Sequence, residues 1–330
     1  MKKQRLALVG AGEITKHYIK GLQNSENLEL AAIIDTNPNC AARADFYEIP
    51  AFQNVPFFTS CNKLYDNALQ VDYVLIATSS SSHHDLIMEL LEHNVPALLV
   101  EKPLAGSLRQ VEEILQTAEE KQIPVFCLYH YRATHELRWL QNHLSDDTFG
   151  KILSITMDIY DNYAADGGKI RADRLPMLGA WLDSGINALS FIDALLPLTE
   201  RTDDHMKLYT DPTQAGDPLH HALYARREFS CNGVFCQITV DWRHELRKKY
   251  FSIQCEKARI DIFHSQQKIL IDGEKADGAE WPTTHTLDDQ YEILFRNFQP
   301  DFAANRVLTL RLHQILFSHL PSDIPQSPAI

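Results

Sequence analysis

The chain has 330 residues, and its 31 lysines and arginines against 44 aspartates and glutamates give a formal net charge of −13 at pH 7. This length suits two domains, and the acidic balance argues against nucleic acid or an anionic membrane as a partner. No run of about 18 apolar residues occurs, so no membrane span is predicted. The basic start leads into a short apolar stretch that ends at Gly10, which indicates a first strand and not a signal peptide. We therefore expect a cytoplasmic protein.

The six cysteines are scattered and form no Cys-x-x-Cys pair. Without an export signal they are expected to be reduced and mostly buried. Cys231 and Cys236 lie close together in a strand-like stretch, but no matching pair of histidines or cysteines is near them. The sequence therefore predicts no metal site.

Apolar stretches and helical patterns alternate through the first third of the chain. Continuous runs of valine, isoleucine and leucine, separated by helices, are typical of a parallel sheet that helices cover on both faces. The sequence therefore predicts an α/β fold with a doubly wound Rossmann domain over residues 1–129. The predicted strands are 5–9, 28–34, 73–77, 97–100 and 124–129, and the predicted helices are 14–23, 40–46, 84–93 and 107–121, with another helix beginning at 64.

The turn after the first strand carries most of a dinucleotide-binding fingerprint. Gly10 and Gly12 follow a strand and open a helix, whose free N–H groups can bind a pyrophosphate, while Thr15 stands where glycine or alanine is usual. Asp35 closes the second strand about 20 residues on, where an acid can accept hydrogen bonds from the ribose hydroxyls. Its charge would repel a 2′-phosphate, so NAD is favoured over NADP. A Rossmann-like domain without a cofactor is the alternative.

Two further strand ends point to the same crevice, where ligands bind in sheets of this kind. The polar loop after the third strand suits contacts to ribose and diphosphate, although an ordinary serine-rich loop has the same composition. Lys102 follows the fourth strand and is held by a proline that restricts the turn, so we interpret it as functional and not as a surface lysine. The cofactor-binding candidates are Gly10, Gly12, Glu13, Ile14, Asp35, Thr78, Ser79, His83, Glu101, Lys102 and Pro103.

Asp183 and Asn187 lie four residues apart at the head of an apolar helical run. Residues at this spacing share one helix face, so the carboxylate and the carboxamide point the same way. Polar side chains at the head of a buried helix are costly unless they have a use, which makes both residues catalytic candidates. The alternative is that Asp183 or Ser184 caps a helix that begins near Gly185.

Alternating segments without intervening helices dominate the rest of the chain, which we assign to a second domain over residues 130–330. Segments 224–230 and 234–239 are predicted to form a hairpin about Asn232 and Gly233, and consecutive strands of this kind pair mostly antiparallel. Further strands are predicted at 151–160, 250–254, 258–263 and 268–271, with helices at 131–142, 289–298 and 308–320 and an unstructured tail at 321–330.

Several of these motifs together resemble the Gfo/Idh/MocA oxidoreductase family. They are GAGEIT after the first strand, Asp35, His83 after the TSSS loop and, most specifically, EKP at 101–103. The resemblance runs through nearly the whole chain. It implies a Rossmann domain followed by an α+β domain with a large open, mostly antiparallel sheet that binds substrate and makes oligomer contacts, here in a homodimer or homotetramer. It also implies that Lys102 lies beside the nicotinamide and the reacting carbon.

The family motif Gly-x-x-x-Asp-x-Gly-x-His is matched at 179–187, except that Asn187 replaces the histidine. Asparagine cannot transfer a proton near neutral pH as histidine can. The string DSGINALSFID resembles the aldose 1-dehydrogenase branch, the galactose and arabinose dehydrogenases, whose members carry asparagine here. This resemblance implies an enzyme that oxidises C1 of an aldose to the lactone.

The expected mechanism assigns one role to each catalytic candidate. Lys102 accepts or relays the hydroxyl proton, Asp183 hydrogen-bonds the reacting hydroxyl, and Asn187 orients the substrate. The alternatives are an oxidoreductase of the same fold acting on an inositol, a keto-sugar or a nucleotide-sugar, and a non-catalytic NAD-dependent sensor. Trp242 is expected to offer an apolar face to a sugar ring, and the predicted substrate contacts are Arg132, Tyr160, Asp161, Tyr163, Trp242 and Arg243.

Overall fold

The structure is a computed structural model that describes residues 2–42, 54–66, 68–144, 148–165, 168–281 and 286–318. The chain divides into two compact units. The Rossmann unit contains Met1–His130 and Leu287–Leu310, and the second unit contains Tyr131–Thr286 and Arg311–Ile330. Within the described ranges, no helix is both long enough and apolar enough to cross a membrane. The predicted tail at 321–330 and the second half of the predicted helix 40–46 lie outside these ranges.

Strands and helices alternate in the Rossmann unit, in the order β1 (Gln4–Val9), α1 (Thr15–Gln23), β2 (Leu28–Ile34), β3 (Phe57–Phe58), α2 (Asn62–Tyr65), β4 (Tyr73–Ile76), α3 (His83–Glu92), β5 (Leu98–Glu101), α4 (Leu108–Glu120) and β6 (Val125–Leu128). The six strands form one parallel sheet in the order β3-β2-β1-β4-β5-β6. Every residue of β4 and β5 is buried, as continuous apolar runs require. The predicted doubly wound sheet is confirmed, with β3 as an additional strand.

The second unit contains the strands β7 (Ile152–Asn162), β8 (Ala164–Ala165), β9 (Lys169–Ile170), β10 (Arg201–Thr210), β11 (Ala222–Cys231), β12 (Val234–Asp241), β13 (Arg243–Cys255), β14 (Arg259–Phe263), β15 (Lys268–Ile271) and β16 (Glu274–Lys275), and the helices α5 (His135–His143) and α6 (Ile186–Leu195). Eight strands form a mixed sheet in the order β10-β11-β12-β7-β13-β14-β15-β16. β7 and β12 pair in parallel, and the other neighbours pair antiparallel. The predicted large, mostly antiparallel sheet is confirmed.

The two faces of this sheet differ in burial. Ile155, Met157 and Ile159 of β7 are fully buried and alternate with half-buried residues, because successive side chains of a strand point to opposite faces. We call the face that carries these three residues the inner face and the opposite one the outer face. Helix α6 covers the inner face, where the ring of Phe191 lies 5.2 Å from that of Phe251 on β13.

Two late helices return to the Rossmann unit, α7 (Thr286–Phe295) and the first part of α8 (Phe302–Leu316). Tyr291 and Phe295 are fully buried in the core cluster that contains Tyr18 of α1. A Cβ on Gly21 would lie 2.7 Å from the backbone of Tyr291, so glycine is needed where α1 and α7 meet. The expected second domain over 130–330 must therefore be corrected at Leu287–Leu310, because the apolar face of this segment is buried in the Rossmann core.

A buried ion pair links β10 and β11, the two strands at one edge of the large sheet in the second unit. Arg227 of β11 is fully buried, and its Nε and Nη2 donate to the two carboxylate oxygens of Asp204 on β10, each at 2.8 Å. The guanidinium also donates to the backbone carbonyl of Ile315 and to the hydroxyl of Ser318. Burial by itself would raise the pKa of Asp204, but the hydrogen bonds and charges of Arg227 and Arg201 outweigh it and lower the pKa. Asp204 is therefore a carboxylate that depends on its arginine partner.

Candidate active site

The predicted cofactor residues of the Rossmann unit follow neighbouring strands. Gly10 follows β1, Asp35 follows β2, Thr78 lies just beyond β4, and Lys102 follows β5. These four strands are adjacent and parallel, so their carboxyl ends lie on the same edge of the sheet, where ligands bind in open α/β sheets. The structure therefore brings the predicted cofactor candidates together along one edge.

The glycine turn has the shape that a diphosphate needs. Gly10 has a φ of +102°, and a Cβ there would lie 2.7 Å from the backbone of Ala77, so no other residue fits without strain. A Cβ on Gly12 would meet nothing within 4 Å, which shows open space beside the turn. Thr15, in the third fingerprint position, is buried and donates from its hydroxyl to the carbonyl of Gly10 at 2.8 Å. This hydrogen bond stabilises the turn.

Asp35 is joined directly to this turn. Its Oδ2 accepts a hydrogen bond from the backbone N–H of Ala11 at 2.7 Å, and its Oδ1 accepts one from Asn37 at 2.8 Å. Each carboxylate oxygen retains capacity for another donor, and the residue is partly exposed. Glu13 is exposed and Ile14 is half-buried at the same turn. An open glycine turn with a partly exposed carboxylate beside it fits NAD.

His83 contacts the segments that follow β4 and β5. It is fully buried, with Nδ1 at 2.8 Å from the carbonyl of Pro103 and Nε2 at 3.2 Å from that of Thr78. Burial lowers the pKa of His83, and the nearby charge of Lys102 lowers it further, against the opposite effect of the two carbonyls. Because a neutral imidazole has one N–H, His83 donates to one of these two carbonyls and packs against the other, between the Thr78 loop and the turn that holds Lys102. Ser79, the other candidate in this loop, is exposed.

Glu101 fixes the turn from the other side. Its carboxylate is buried and accepts hydrogen bonds from the hydroxyls of Tyr18 and Tyr291, and from the backbone N–H of Lys102 at 2.9 Å. Burial raises the pKa of Glu101, although Lys102 and these donors act in the opposite direction. The Lys102–Pro103 peptide bond is cis, and Lys102 is half-buried. In this structure Glu101 and Pro103 position Lys102 rather than facing open space themselves.

Asp183 lies inside a helix and not at its start. Residues 179–195 are continuously helical, with a π-helical turn at Trp181–Gly185 that runs into α6. Gly185 has helical angles, φ −63° and ψ −38°, so the alternative that Asp183 or Ser184 caps a helix beginning near Gly185 is wrong. A Cβ on Gly185 would lie 2.6 Å from the ring of Trp181, which explains the glycine. Turns of this kind often occur at functional sites.

Asn187 is buried beside Asp183, with exposed fractions of 6% and 9% respectively. Its Nδ2 donates to the backbone carbonyl of Asp183 at 3.3 Å. Its Oδ1 is buried and has no hydrogen-bond partner among the described residues. Buried polar atoms are nearly always paired, so this oxygen is available to a ligand donor such as a hydroxyl group.

Two of the predicted substrate contacts gather around the inner face. Asp161 of β7 is buried on this face, two residues beyond Ile159. Burial raises the pKa of Tyr163, and the negative charges of Asp161 and Asp183 raise it further. Asp161 and Asp183 therefore both lie within electrostatic reach of Tyr163.

The other predicted contacts lie elsewhere. Tyr160 points to the outer face, where it is in register with Asp241 and Arg243 donates to Asp241 at 3.0 Å. Arg132 is tied to the carbonyl of Ser190 and to Asp193, at 3.0 and 3.2 Å. The structure does not bring these contacts together with Asp161.

Trp242 differs most from expectation. It is fully buried, with its ring 5.3 Å from that of Tyr163, so no ring face is exposed to stack on a sugar. Its Nε1 has no hydrogen-bond partner among the described residues. The tryptophan instead supports Tyr163, whose N–H donates to the carbonyl of Trp242 at 3.0 Å.

Lys249 of β13 is a polar residue that sequence reasoning missed. It pairs with Ile159 across the two strands, so its side chain lies on the inner face. The signal that could have found it is strand alternation, because Lys249, Phe251 and Ile253 are two residues apart and the last two are fully buried.

Among the described residues, no cluster of three or more histidine, cysteine, aspartate or glutamate side chains could hold a metal ion.

Comparison with known proteins agrees with this architecture. Residues 4–129 match the model of the Gfo/Idh/MocA family, an oxidoreductase family with an NAD-binding Rossmann fold. The chain is 25% identical over 229 residues to the rhizopine catabolism protein MocA of Rhizobium meliloti, covering 66% of each chain. It is 30% identical over 138 residues to inositol 2-dehydrogenase 1 of Paenarthrobacter aurescens, covering 41% of this chain and 39% of that one. The chain thus spans no more than about two thirds of these curated relatives.

Solved structures resemble the chain over almost its whole length. A levoglucosan dehydrogenase in complex with NADH and levoglucosan has a TM-score of 0.76 at 16% identity, with 96% of both chains covered. A myo-inositol dehydrogenase from Corynebacterium glutamicum has a TM-score of 0.68 at 17% identity, covering 94% of this chain and 95% of that one. At such identities these likenesses show a shared fold. The match to the Gfo/Idh/MocA oxidoreductase family model therefore covers the Rossmann domain of this chain, residues 4–129.

Proposed function

We propose that this protein is an NAD(P)-dependent dehydrogenase that acts on a CH–OH group of a sugar or sugar-like polyol, and that it oxidises C1 of an aldose to the lactone. The observation that carries the proposal is the placement of Lys102 on the same sheet edge as the open Gly12 turn and Asp35. The family match and the dehydrogenases among the relatives support the reaction class. The aldose specificity rests on Asn187 and the string around it.

Residues Gly10, Gly12 and Asp35 would hold NAD, which supplies a hydride acceptor when it is bound. Oxidation of an alcohol also releases the hydroxyl proton. The amine of Lys102, in its neutral form, accepts this proton, because it is the basic group held at the sheet edge by Glu101 and Pro103. The buried contacts of Glu101 fix the backbone of Lys102.

Asp183 and Asn187 bind the hydroxyl groups of the substrate. A sugar hydroxyl is both donor and acceptor, and a carboxylate beside a carboxamide offers acceptors and a donor in one place. The buried Oδ1 of Asn187, which has no partner among the described residues, accepts a hydrogen bond from a substrate hydroxyl. Asparagine cannot supply a proton here, so proton transfer falls to Lys102.

An inositol or another polyol is the second candidate substrate class. It is favoured by the similarity to inositol 2-dehydrogenase 1. Both candidates are tested by following the near-ultraviolet absorbance of the reduced nicotinamide, with NAD or NADP, against a panel of aldoses, inositols and polyols. An increase with galactose, arabinose or a related aldose supports C1 oxidation. An increase with inositols alone moves the assignment to the polyol class, and no increase alongside tight NAD binding by calorimetry points to the non-catalytic sensor.

A homodimer or homotetramer through the sheet of the second unit belongs to the same proposal. The outer face carries Phe235, which is 43% exposed, on the strand next to Tyr160. Light scattering of the purified chain tests this assembly, and a monomer across the accessible concentrations would contradict it.

Replacing Asp35 by asparagine is expected to weaken the preference for NAD over NADP. The variant keeps one oxygen, which can accept the hydrogen bond from either Ala11 or Asn37, and it removes the charge that opposes a 2′-phosphate. Loss of one like charge at contact distance in a partly exposed site should improve NADP affinity by about tenfold. Titration of each cofactor by calorimetry measures the change without turnover.

Asp72→Asn is the matched control for this prediction. Asp72 is also an acid whose side chain accepts a backbone hydrogen bond, from Arg5 at 2.7 Å, but it is exposed and precedes β4 at the opposite edge of the sheet. It carries the same change in charge and should leave both affinities unaltered. Equal NADP affinities in Asp35→Asn and the parent would show that Asp35 does not select the cofactor.

A further inference from the structure

The inner face of the second unit carries one ammonium group among several acids. Lys249 pairs with Ile159, and Asp161 lies two residues further along β7 on the same face. Diagonal neighbours of this kind are within reach of a long side chain. Lys249 and Asp161 are therefore close neighbours on this face, and the charge of Asp161 acts on Lys249.

The helix above this face brings Asp183 and Asn187 toward the same place. Asp183, Asn187 and Phe191 follow one another at four-residue spacing, so they lie along one side of the helix. Phe191 is in ring contact with Phe251, at 5.2 Å. Lys249 is two residues from Phe251 on the same face of β13, and Asn187 is one helical turn from Phe191. The helix turn with Asp183 and Asn187 therefore lies over the same sheet face as Lys249, and the charge of Asp183 acts on Lys249.

The electrostatics agree with this placement. Burial by itself would lower the pKa of Lys249, but the phenol of Tyr131 and the carboxylates of Asp161 and Asp183 outweigh it and raise the pKa. Lys249 is therefore an ammonium group at neutral pH. Its side chain is half-buried. The helix that carries Asp183 also carries Asn187, whose buried Oδ1 has no hydrogen-bond partner among the described residues.

We propose that Lys249 is a substrate-binding residue that donates a hydrogen bond to a hydroxyl oxygen of the sugar or polyol, on the inner face that it shares with Asp161, Asp183 and Asn187. This inference rests on the proposed function. It adds to that function the ammonium group that recognises one hydroxyl of the substrate. The ammonium supplies donors, the two carboxylates supply acceptors, and Asn187 supplies one more acceptor. Such a set matches neighbouring hydroxyl groups, each of which donates one hydrogen bond and accepts others.

The test compares Lys249→Met with Lys248→Met. Lys248 is the neighbouring lysine on the same strand, but it points to the outer face, where its Nζ lies 5.6 Å from the ring centre of Tyr160. Both variants lose one positive charge and gain the same side chain. In Lys249→Met we expect the Kd and the KM for the sugar to rise about 10- to 100-fold, as for the loss of a hydrogen bond to a charged group. NAD affinity should not change, and Lys248→Met should behave as the parent.

Sugars that lack a single hydroxyl make the test specific. The parent should bind one deoxy sugar of a series distinctly less well than the full sugar, and Lys249→Met should lose this difference for that sugar alone. Lys249→Arg keeps the charge, and hence the fold, while moving the donors, so it should also raise KM. A lysine with only a structural role would lower thermal stability without changing the order of affinities in the series.

Binding by calorimetry separates the possible failures. If the parent binds a sugar and Lys249→Met binds it equally well, this inference is overturned while the proposed function stands. An equal loss in Lys248→Met would also overturn it, because the effect would then come from net charge. If the parent binds no sugar or polyol of the panel, the proposed function and this inference fall together.

Discussion

Lys102→Met is expected to lower kcat by about 100- to 10,000-fold, the usual range for removal of a general base. Methionine preserves the length and apolar stem of lysine but cannot accept a proton. The turn itself should persist, because Glu101 holds it through the backbone N–H of residue 102 and His83 holds it through the carbonyl of Pro103. The Kd for NAD, measured by calorimetry, should therefore change little while turnover is lost.

Lys121→Met is the control for this variant. Lys121 is an exposed residue at the end of α4 in the same unit, and its loss makes the same change in net charge. It should leave kcat unaltered. Retention of most of the turnover in Lys102→Met, with NAD bound normally, would show that the proton goes to another group and would end the proposed mechanism.

Arg227→Met is expected to destabilise the second unit by up to about 3–5 kcal/mol, because removing one partner of a buried ion pair leaves the other buried with most of its compensation lost. Of the two arginines that pair with Asp204, Arg201 would remain, at 3.2 Å. All four tryptophans of the chain lie between residues 131 and 286, in the second unit. Tryptophan fluorescence during denaturation with urea therefore reports the unfolding of this unit.

The neighbouring Arg226→Met serves as the control. Arg226 is 45% exposed at its side chain and pairs with Glu228 on the surface, so its loss should cost less than about 1 kcal/mol. An equal effect of the two substitutions would contradict a special role for the buried pair.

The destabilisation in Arg227→Met should also depend on pH. In the parent the pKa of Asp204 is lowered in the folded state. The stabilisation from this carboxylate is therefore fully present above its unfolded pKa, about 3.9, and is lost as the pH falls through the folded value. The difference in the free energy of unfolding between parent and variant should accordingly shrink under acid conditions. A difference that stays constant down to acid pH would contradict the assignment.

Local patterns in the sequence were sufficient to predict most of the strands and the cofactor-binding edge of the Rossmann unit. Short apolar runs predicted five of its six parallel strands, because a strand buried on both faces needs apolar residues at every position. The glycine turn and Asp35 predicted the cofactor edge, since the backbone angles of Gly10 and the carboxyl ends of parallel strands are properties that a short segment carries with it. The spacing of Asp183 and Asn187 likewise indicated a shared helix face.

Other features depend on residues far apart in the chain. No pattern within 287–310 indicates that Tyr291 and Phe295 are buried against Tyr18, because an apolar helix face can pack against either unit. The role of Glu101 is decided in the same way, by two tyrosine hydroxyls that come from distant helices. The position of Glu101 in the sequence predicted that it lies at the cofactor edge. It did not indicate that the carboxylate holds the backbone N–H of Lys102.

The sequence by itself determined the class of the fold, the glycine turn and the lysine at the end of the fifth Rossmann strand, since each depends on a few consecutive residues. Only the tertiary structure decided which polar groups share the inner face of the second unit. Tyr160 and Asp161 are adjacent in the chain but lie on opposite faces, whereas Asp161 and Lys249 are far apart in the chain and lie on the same face. Strand register and helix packing set these neighbours, and both arise from long-range contacts that no short segment encodes.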